Sequence, residues 1–178
     1  RRLAGGAPGA APGPGRPAGP AGGPPEDRAR IERILGYVDR LVERARAAYE
    51  EGLTWDGQGV VNKANDAYED SSEAYRLALQ GLGHAARRSS APETQAEIGG
   101  RAAAIRKALV ESFLAPAYLH ASQRNWKAAS RFVDGALAVD PAHEYALRLR
   151  ERISQEYIRR SAFQQAIGQA HERAASGR

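Results

Sequence analysis

Histidines and carboxylates are the side chains of this sequence that could hold a metal ion or move a proton. The four histidines are too far apart for one helix to present two imidazoles to zinc: His84, His120, His143 and His171. Two pairs of carboxylates are adjacent in sequence, Glu50 with Glu51 and Glu69 with Asp70, and would point in different directions on a helix. The pattern predicts ordinary histidines, solvated carboxylates, no metal and no cofactor.

Nucleophiles and phosphate-binding loops are also missing from the sequence pattern. GQG at 57–59 and GLG at 81–83 lack the preceding strand, the third glycine and the Lys followed by Ser or Thr that cradle phosphates. No serine occupies a nucleophile-elbow sequence, and the chain has no cysteine. We therefore expect a protein that is not an enzyme. The lack of cysteine leaves the compartment open, with the cytoplasm only slightly favoured.

Arginines near the carboxyl end suggest a different chemistry, the binding of anions. Arg148, Arg152 and Arg159 lie near one another at about 100° per residue of helix. One interpretation is a basic helical module that binds nucleic acid or another polyanion. The favoured interpretation is a solvated face with local ion pairs.

The overall charge does not by itself favour nucleic acid. The chain of 178 residues has a formal charge of +5, but residues 1–25 contain three arginines and no acidic residue. The remaining 23 basic and 21 acidic side chains are nearly balanced and attract phosphates weakly. A nucleic-acid partner is disfavoured on these grounds.

The ends of the sequence give two further expectations. No apolar run approaches the roughly 18 residues needed to span a bilayer, and the amino terminus lacks the apolar core of a signal peptide. The chain begins with Arg1 and contains no methionine, which suggests a fragment or processed form.

Composition divides the chain into two parts. Residues 1–25 are almost entirely Gly, Ala and Pro and cannot repay the entropy of ordering, so a disordered linker is predicted. Residues 26–175 show helical periodicity and are predicted to form one all-helical domain.

The first predicted helix has a wide apolar stripe. Ile31, Leu35, Val38, Val42, Ala45 and Tyr49 alone would form a coiled-coil seam, but Ile34, Leu41 and Ala48 widen it. A helix that faces the core of its own bundle is favoured, and the protein is therefore expected to be a monomer. Dimerisation through residues 31–49 stays open.

Turn signals place the remaining helices. A turn at Thr54–Gly59 precedes a second helix from about Val60 to Leu82, and a connection at 83–92 precedes a third from about Pro92. The last helix is predicted to begin near Asp140 and Pro141, with Asp140 as its cap. Its inward-facing residues would be Tyr145, Leu149, Ile153, Tyr157 and Phe163 or Ile167, which would cover the exposed end of the stack.

Residues 113–141 carry the clearest pattern of all. Trp126, Ala129, Val133, Ala136 and Pro141 are spaced by three, four, three and five residues, which places small and large side chains on one helical face before a proline. This pattern resembles the second helix of a tetratricopeptide repeat (TPR). In the first helix the bulk of Phe113 and the small Ala117 also match, whereas Pro116 and His120 depart from the family's residues and predict a kink or break near Leu114–Pro116.

The resemblance implies a fold and a function. The fold would be a short TPR-like solenoid of about five helices in stacked antiparallel hairpins. TPR domains generally bind peptides or partner proteins on the surface formed by first helices. The matching positions are Glu111, Leu114, Tyr118, Ala121 and Ser122, with partner side chains burying beside Leu114 and Tyr118. These positions lack the Lys, Asn and Arg that hold a terminal carboxylate in some family members, so a noncatalytic adaptor for a protein or peptide partner is expected.

Overall fold

The computed structural model describes residues 25–177, so the predicted linker lies outside the described residues except for Pro25. Five helices occupy this part of the chain: α1 (Pro25–Gly57), α2 (Val61–Arg88), α3 (Pro92–Ser122), α4 (Trp126–Val139) and α5 (Glu144–Ala175). The predicted all-helical fold of about five helices is confirmed. Within the described range, no helix is both long and apolar enough to cross a membrane.

Short connections arrange these helices as two hairpins followed by a single helix. α1 packs on α2, α3 packs on α4, and the two hairpins meet where α2 contacts α3. α5 packs on α4. Each helix therefore packs mainly on the helices before and after it, which is the serial packing of a helical solenoid.

Glycines allow the helices of each hairpin to approach closely. A Cβ atom added to Gly52 would lie 2.6 Å from Cε1 of Tyr68, and one added to Gly135 would lie 3.0 Å from the ring of Phe113. Both rings are buried. The missing side chains thus create the space that the aromatic rings of the partner helices fill.

The small and large residues of the 113–141 pattern form the centre of the second hairpin. Ala117, Ala129, Val133 and Ala136 have no accessible surface, and Phe113 is also buried. The packing role predicted for these positions is confirmed.

Two connections are shorter than predicted because the helices extend further into them. α1 continues to Gly57, which leaves only residues 58–60 as the first turn, and Gly59 there has a φ of +72° that favours glycine. α2 extends past Leu82 to Arg88, so the second connection consists of residues 89–91. Pro92 begins α3, as predicted.

Of the kink or break predicted near Leu114–Pro116, a break is absent, while a kink stays a prediction. α3 continues through this proline to Ser122, and Pro116 itself is buried. Apolar side chains on both sides of it are buried too, among them Phe113, Leu114, Ala117 and Leu119. Their packing holds the two halves of α3 in one helix despite the lost hydrogen bond.

The start predicted for the last helix is wrong by several residues. Asp140 terminates α4, and its carboxylate accepts a hydrogen bond from the backbone N–H of Ala142 at 3.1 Å. α5 begins only at Glu144, where Nδ1 of His143 accepts a hydrogen bond from the N–H of Ala146 at 3.2 Å. The carboxylate of Asp140 therefore stabilises the local turn after α4 and does not cap α5.

The inward face predicted for α5 is correct only in its first half. Leu149 and Ile153 are buried, and Tyr145 is half-buried. Tyr157, Phe163 and Ile167 are exposed, with 66% of Phe163 accessible. α5 covers the end of the stack with its first three turns and then extends beyond its neighbours.

The apolar stripe of α1 faces the interior of the chain's own bundle. Ile31, Val38, Leu41 and Ala45 are buried in the main core together with residues of α2. The prediction of a core-facing helix is confirmed, whereas the monomeric state stays a prediction.

Candidate functional site

A cavity of about 180 Å³ lies where α3, α4 and α5 meet. Three of its lining residues come from the end of α3, one from the start of α4 and three from α5: Tyr118, Ala121, Ser122, Trp126, Leu149, Arg152 and Ile153. We call this the α3–α5 cavity. An apolar cavity of roughly 150 Å³ holds a benzene molecule, so this one can take a single large apolar side chain.

One lining residue of this cavity, Tyr118, stacks on a second tyrosine. The rings of Tyr118 on α3 and Tyr145 on α5 stack with centroids 5.4 Å apart and an interplanar angle of 29°. Tyr118 is 46% exposed, whereas the hydroxyl of Tyr145 is buried and has no hydrogen-bond partner among the described residues. The stack presents the accessible ring of Tyr118 to a molecule entering the cavity.

Arg152 is the cavity's charged side chain. Its neighbours along α5 are engaged elsewhere: Arg148 pairs with Glu144 at 3.3 Å, and Arg159 pairs with Glu156 at 3.0 Å. Across residues 25–177, Arg152 forms no ion pair. The three arginines of the predicted strip thus have different environments, and the polyanion interpretation stays a prediction.

A second depression of about 320 Å³ adjoins the first and shares Trp126 with it. Its charged lining residues are all basic: Arg124, Lys127 and Arg160. One guanidinium N–H of Arg160 donates a hydrogen bond to the backbone oxygen of Arg124 at 3.4 Å, which ties α5 to the turn between α3 and α4. We call this depression the α4–α5 groove.

The partner-binding residues predicted from the sequence separate into two groups. Tyr118, Ala121 and Ser122 meet at the α3–α5 cavity. Leu114 is only 8% exposed and belongs to the core. Burial raises the pKa of Tyr49 on α1, and exposed Glu111 raises it further, so Glu111 faces the first hairpin. The structure therefore brings three of the five residues together.

Sequence reasoning missed the walls that α4 and α5 contribute to this cavity. Trp126 was assigned to the packing face of α4, and Leu149 and Ile153 to the inward face of α5. The spacing of four residues between Leu149 and Ile153 predicts that they share a face of α5. The same two side chains can nevertheless line both a core and the edge of a cavity. Only the position of α5 relative to α3 decides which surface they form.

One histidine, His120, is packed between helices. Nε2 of His120 lies 3.1 Å from Oδ1 of Asn65, its ring stacks on Phe132 at 5.5 Å, and its Nδ1 is buried with no partner among the described residues. Burial lowers the pKa of His120; nearby Glu69 raises it and Arg131 lowers it further. No group of three or more metal-ligating side chains occurs within residues 25–177.

The comparisons with known proteins return TPR domains. No protein-family model matches the chain, and no curated protein matches it. Among solved structures, the chain is similar to the first TPR domain of Spaghetti (RPAP3) bound to HSP90 peptide SRMEEVD, with 18% identity, a TM-score of 0.28 and coverage of 66% of this chain and 95% of that chain. It is also similar to the TPR domain of Arabidopsis OM64, with 17% identity, a TM-score of 0.27 and coverage of 65% and 98%.

Both neighbours are of the kind that the pattern at residues 113–141 resembles. The hairpin architecture is established by the helix packing within this protein.

Proposed function

We propose that this chain is a noncatalytic adaptor that binds a segment of a partner protein at the α3–α5 cavity. One observation carries the proposal: side chains from three helices converge on a cavity that fits one large apolar group, beside the exposed ring of Tyr118. Buried aromatic and arginine side chains typically dominate the energy of protein interfaces. Tyr118, Trp126 and Arg152 supply that combination here.

The expected ligand is a segment with one aromatic or aliphatic side chain next to an acidic residue. The apolar side chain would fill the cavity between Trp126, Leu149 and Ile153. Arg152 would donate hydrogen bonds to a carboxylate or a backbone carbonyl of the segment. The basic lining of the adjoining α4–α5 groove favours acidic residues further along it.

A pull-down from the source lysate with residues 26–178, at low and high salt and with nuclease controls, identifies the partner. The partner should survive high salt and nuclease treatment, because apolar burial contributes most of the affinity. Tyr118→Ala should weaken its binding by about tenfold or more. Leu53→Ala is the control, because Leu53 is also half exposed, at 48%, but lies on α1 away from the cavity.

A second matched pair separates the cavity from the general charge of α5. Arg152→Ala should weaken binding, whereas Arg148→Ala removes the same charge one turn away and should not. Recovery of nucleic acid alone, equal loss in both arginine variants, or unchanged binding by Tyr118→Ala would each contradict the proposal.

Tryptophan fluorescence gives a direct readout of occupancy. The chain has two tryptophans, Trp55 and Trp126, so Trp55→Phe leaves only the one that lines the cavity. Binding of the partner segment should protect Trp126 from acrylamide quenching. An unchanged quenching constant at saturation would place the partner elsewhere.

A further inference from the structure

A second groove lies at the opposite end of the bundle, along the junction of α1 and α2. Its volume is about 450 Å³, and an overlapping shallow depression of about 390 Å³, open to solvent, continues it along α1. Ile34, Tyr37 and Leu77 supply its apolar lining, and Arg30, Arg33 and Arg88 its formal charges. We call this the α1–α2 groove.

The arginines of this groove have not been neutralised by the fold. Arg33 and Arg88 donate only to backbone oxygens of their own helices, those of Ala29 and His84. Among the side chains of residues 27–177, none of Arg30, Arg33 and Arg88 pairs with a carboxylate. Three positive charges thus surround a groove with an apolar lining.

The α1–α2 hairpin is electrically polarised along its length. The half that carries the groove, residues 27–40 and 77–88, contains six basic and three acidic side chains. The other half, residues 41–76, contains four basic and eight acidic side chains. The contrast confines the attraction for anions to the end of the hairpin where the groove lies.

We propose that the α1–α2 groove binds a short acidic segment of a partner protein, with one large apolar side chain of that segment packed between Ile34, Tyr37 and Leu77. Charge complementarity selects an acidic occupant, and the apolar lining selects an anchored one. The chain's own amino-terminal residues 1–24 do not fit, because they carry three arginines and no acidic residue. An extended nucleic acid would run from the groove onto the acidic half of the hairpin, which would repel its phosphates.

The occupied groove would be a second binding surface, separate from the α3–α5 cavity. The two surfaces share no lining residue: the groove is formed by α1 and α2, and the cavity by α3, α4 and α5. The protein could then hold two partner segments at once.

The test uses fluorescence anisotropy with the whole chain and a labelled synthetic peptide. The probe is rich in Asp and Glu with a central Leu-Phe pair, and its counterpart replaces every carboxylate by the amide. Arg30→Glu should weaken binding of the acidic probe by about fivefold or more. Arg44→Glu is the matched control, because it makes the same charge change on the same helix outside the groove.

The apolar anchor has its own matched pair. Tyr37→Ala should weaken binding, while Leu53→Ala should not, since both side chains are 48% exposed on α1 but only Tyr37 lines the groove. Circular dichroism of all four variants should match that of the parent chain, because the substituted side chains lie outside the core.

Five results would overturn the proposal. The amide peptide could bind as tightly as the acidic one, or Arg30→Glu and Arg44→Glu could have equal effects. A mixed-sequence single-stranded oligonucleotide could bind more tightly than the peptide. Light scattering could also show that the parent chain has twice the mass of one chain and that the Arg30→Glu variant has the mass of a single chain, which would make the groove a dimer interface. Loss of probe binding in Arg160→Glu but not in Arg30→Glu would assign the probe to the α4–α5 groove and leave the α1–α2 groove without a ligand.

Discussion

Two glycines of α1 occupy one helix in opposite surroundings. Gly52 faces the ring of Tyr68, which has no accessible surface and cannot move away, whereas no atom lies within 4 Å of a Cβ added to Gly36. Glycine in a helix costs roughly 0.5–1 kcal/mol relative to alanine wherever it serves no packing purpose. The two positions therefore respond to the same substitution with opposite signs.

We expect Gly52→Ala to lower the free energy of unfolding by about 1–3 kcal/mol, because the added methyl group overpacks the interface with α2. Gly36→Ala should raise it by about 0.5–1 kcal/mol. Urea unfolding followed by circular dichroism measures both changes. Equal stability of the two variants would mean that the approach of α1 to α2 is looser than the structure has it.

His120 links the two hairpins and should make the stability depend on pH. Its folded pKa is lowered, so between that value and the unfolded value near 6.5 the unfolded chain binds the extra proton. The free energy of unfolding should therefore fall as the pH drops below about 6.5. Protonation would also place a donor on buried Nδ1, which has no partner among the described residues.

Chemical unfolding at several pH values measures this effect. His120→Gln should flatten the decrease below pH about 6.5, because no imidazole remains to be protonated. His171→Gln is the control, since His171 is exposed on α5. If the two variants show the same pH profile, the acid sensitivity arises from other groups than His120.

At the scale of elements, α5 shows how a helical pattern can continue beyond its partner. The apolar spacing that buries Leu149 and Ile153 continues through Tyr157, Phe163 and Ile167. α4, however, has only 14 residues, less than half the length of α5. Every residue from 162 to 177 is exposed, so that part of α5 has no packing to stabilise it.

We expect a chain that ends at Ser161 to keep the unfolding midpoint of the parent. An isolated helix of this length is only marginally stable in water, and its loss should cost the bundle little. Ile153→Ala, within the packed half, should instead lower stability by about 2–5 kcal/mol. Calorimetry compares the two, and hydrogen exchange should be fast across residues 162–175. Equal losses in the two variants would show that the overhang contributes to the folded core.

At the scale of the whole molecule, apolar periodicity predicted the features that depend on packing between neighbouring helices. The five helices followed from apolar spacing and turn residues, and the buried positions Phe113, Ala117, Ala129, Val133 and Ala136 followed from the resemblance. Three of the five predicted binding residues meet at one cavity for the same reason, since they share a face of α3.

The features that sequence reasoning missed depend on contacts between distant segments. Pro116 remains within α3 because residues on both sides of it are buried by other helices. Asp140 does not cap α5, because its carboxylate accepts a hydrogen bond from Ala142 within the turn that follows α4. The number of α5 residues that are covered depends on the length of α4, and the apolar spacing within α5 does not indicate the length of α4.

Serial packing also orders events during synthesis of the protein. Because each helix contacts mainly its chain neighbours, α1 can pack as soon as α2 has been synthesised. α3 can then dock on a completed hairpin. Such local contacts require little loop closure and favour rapid folding. Completed helices therefore find their partners in the order in which the ribosome releases them, and no stage requires a distant segment still to be made. Within residues 25–177, only the second half of α5 leaves the ribosome with no helix of its own chain to pack against.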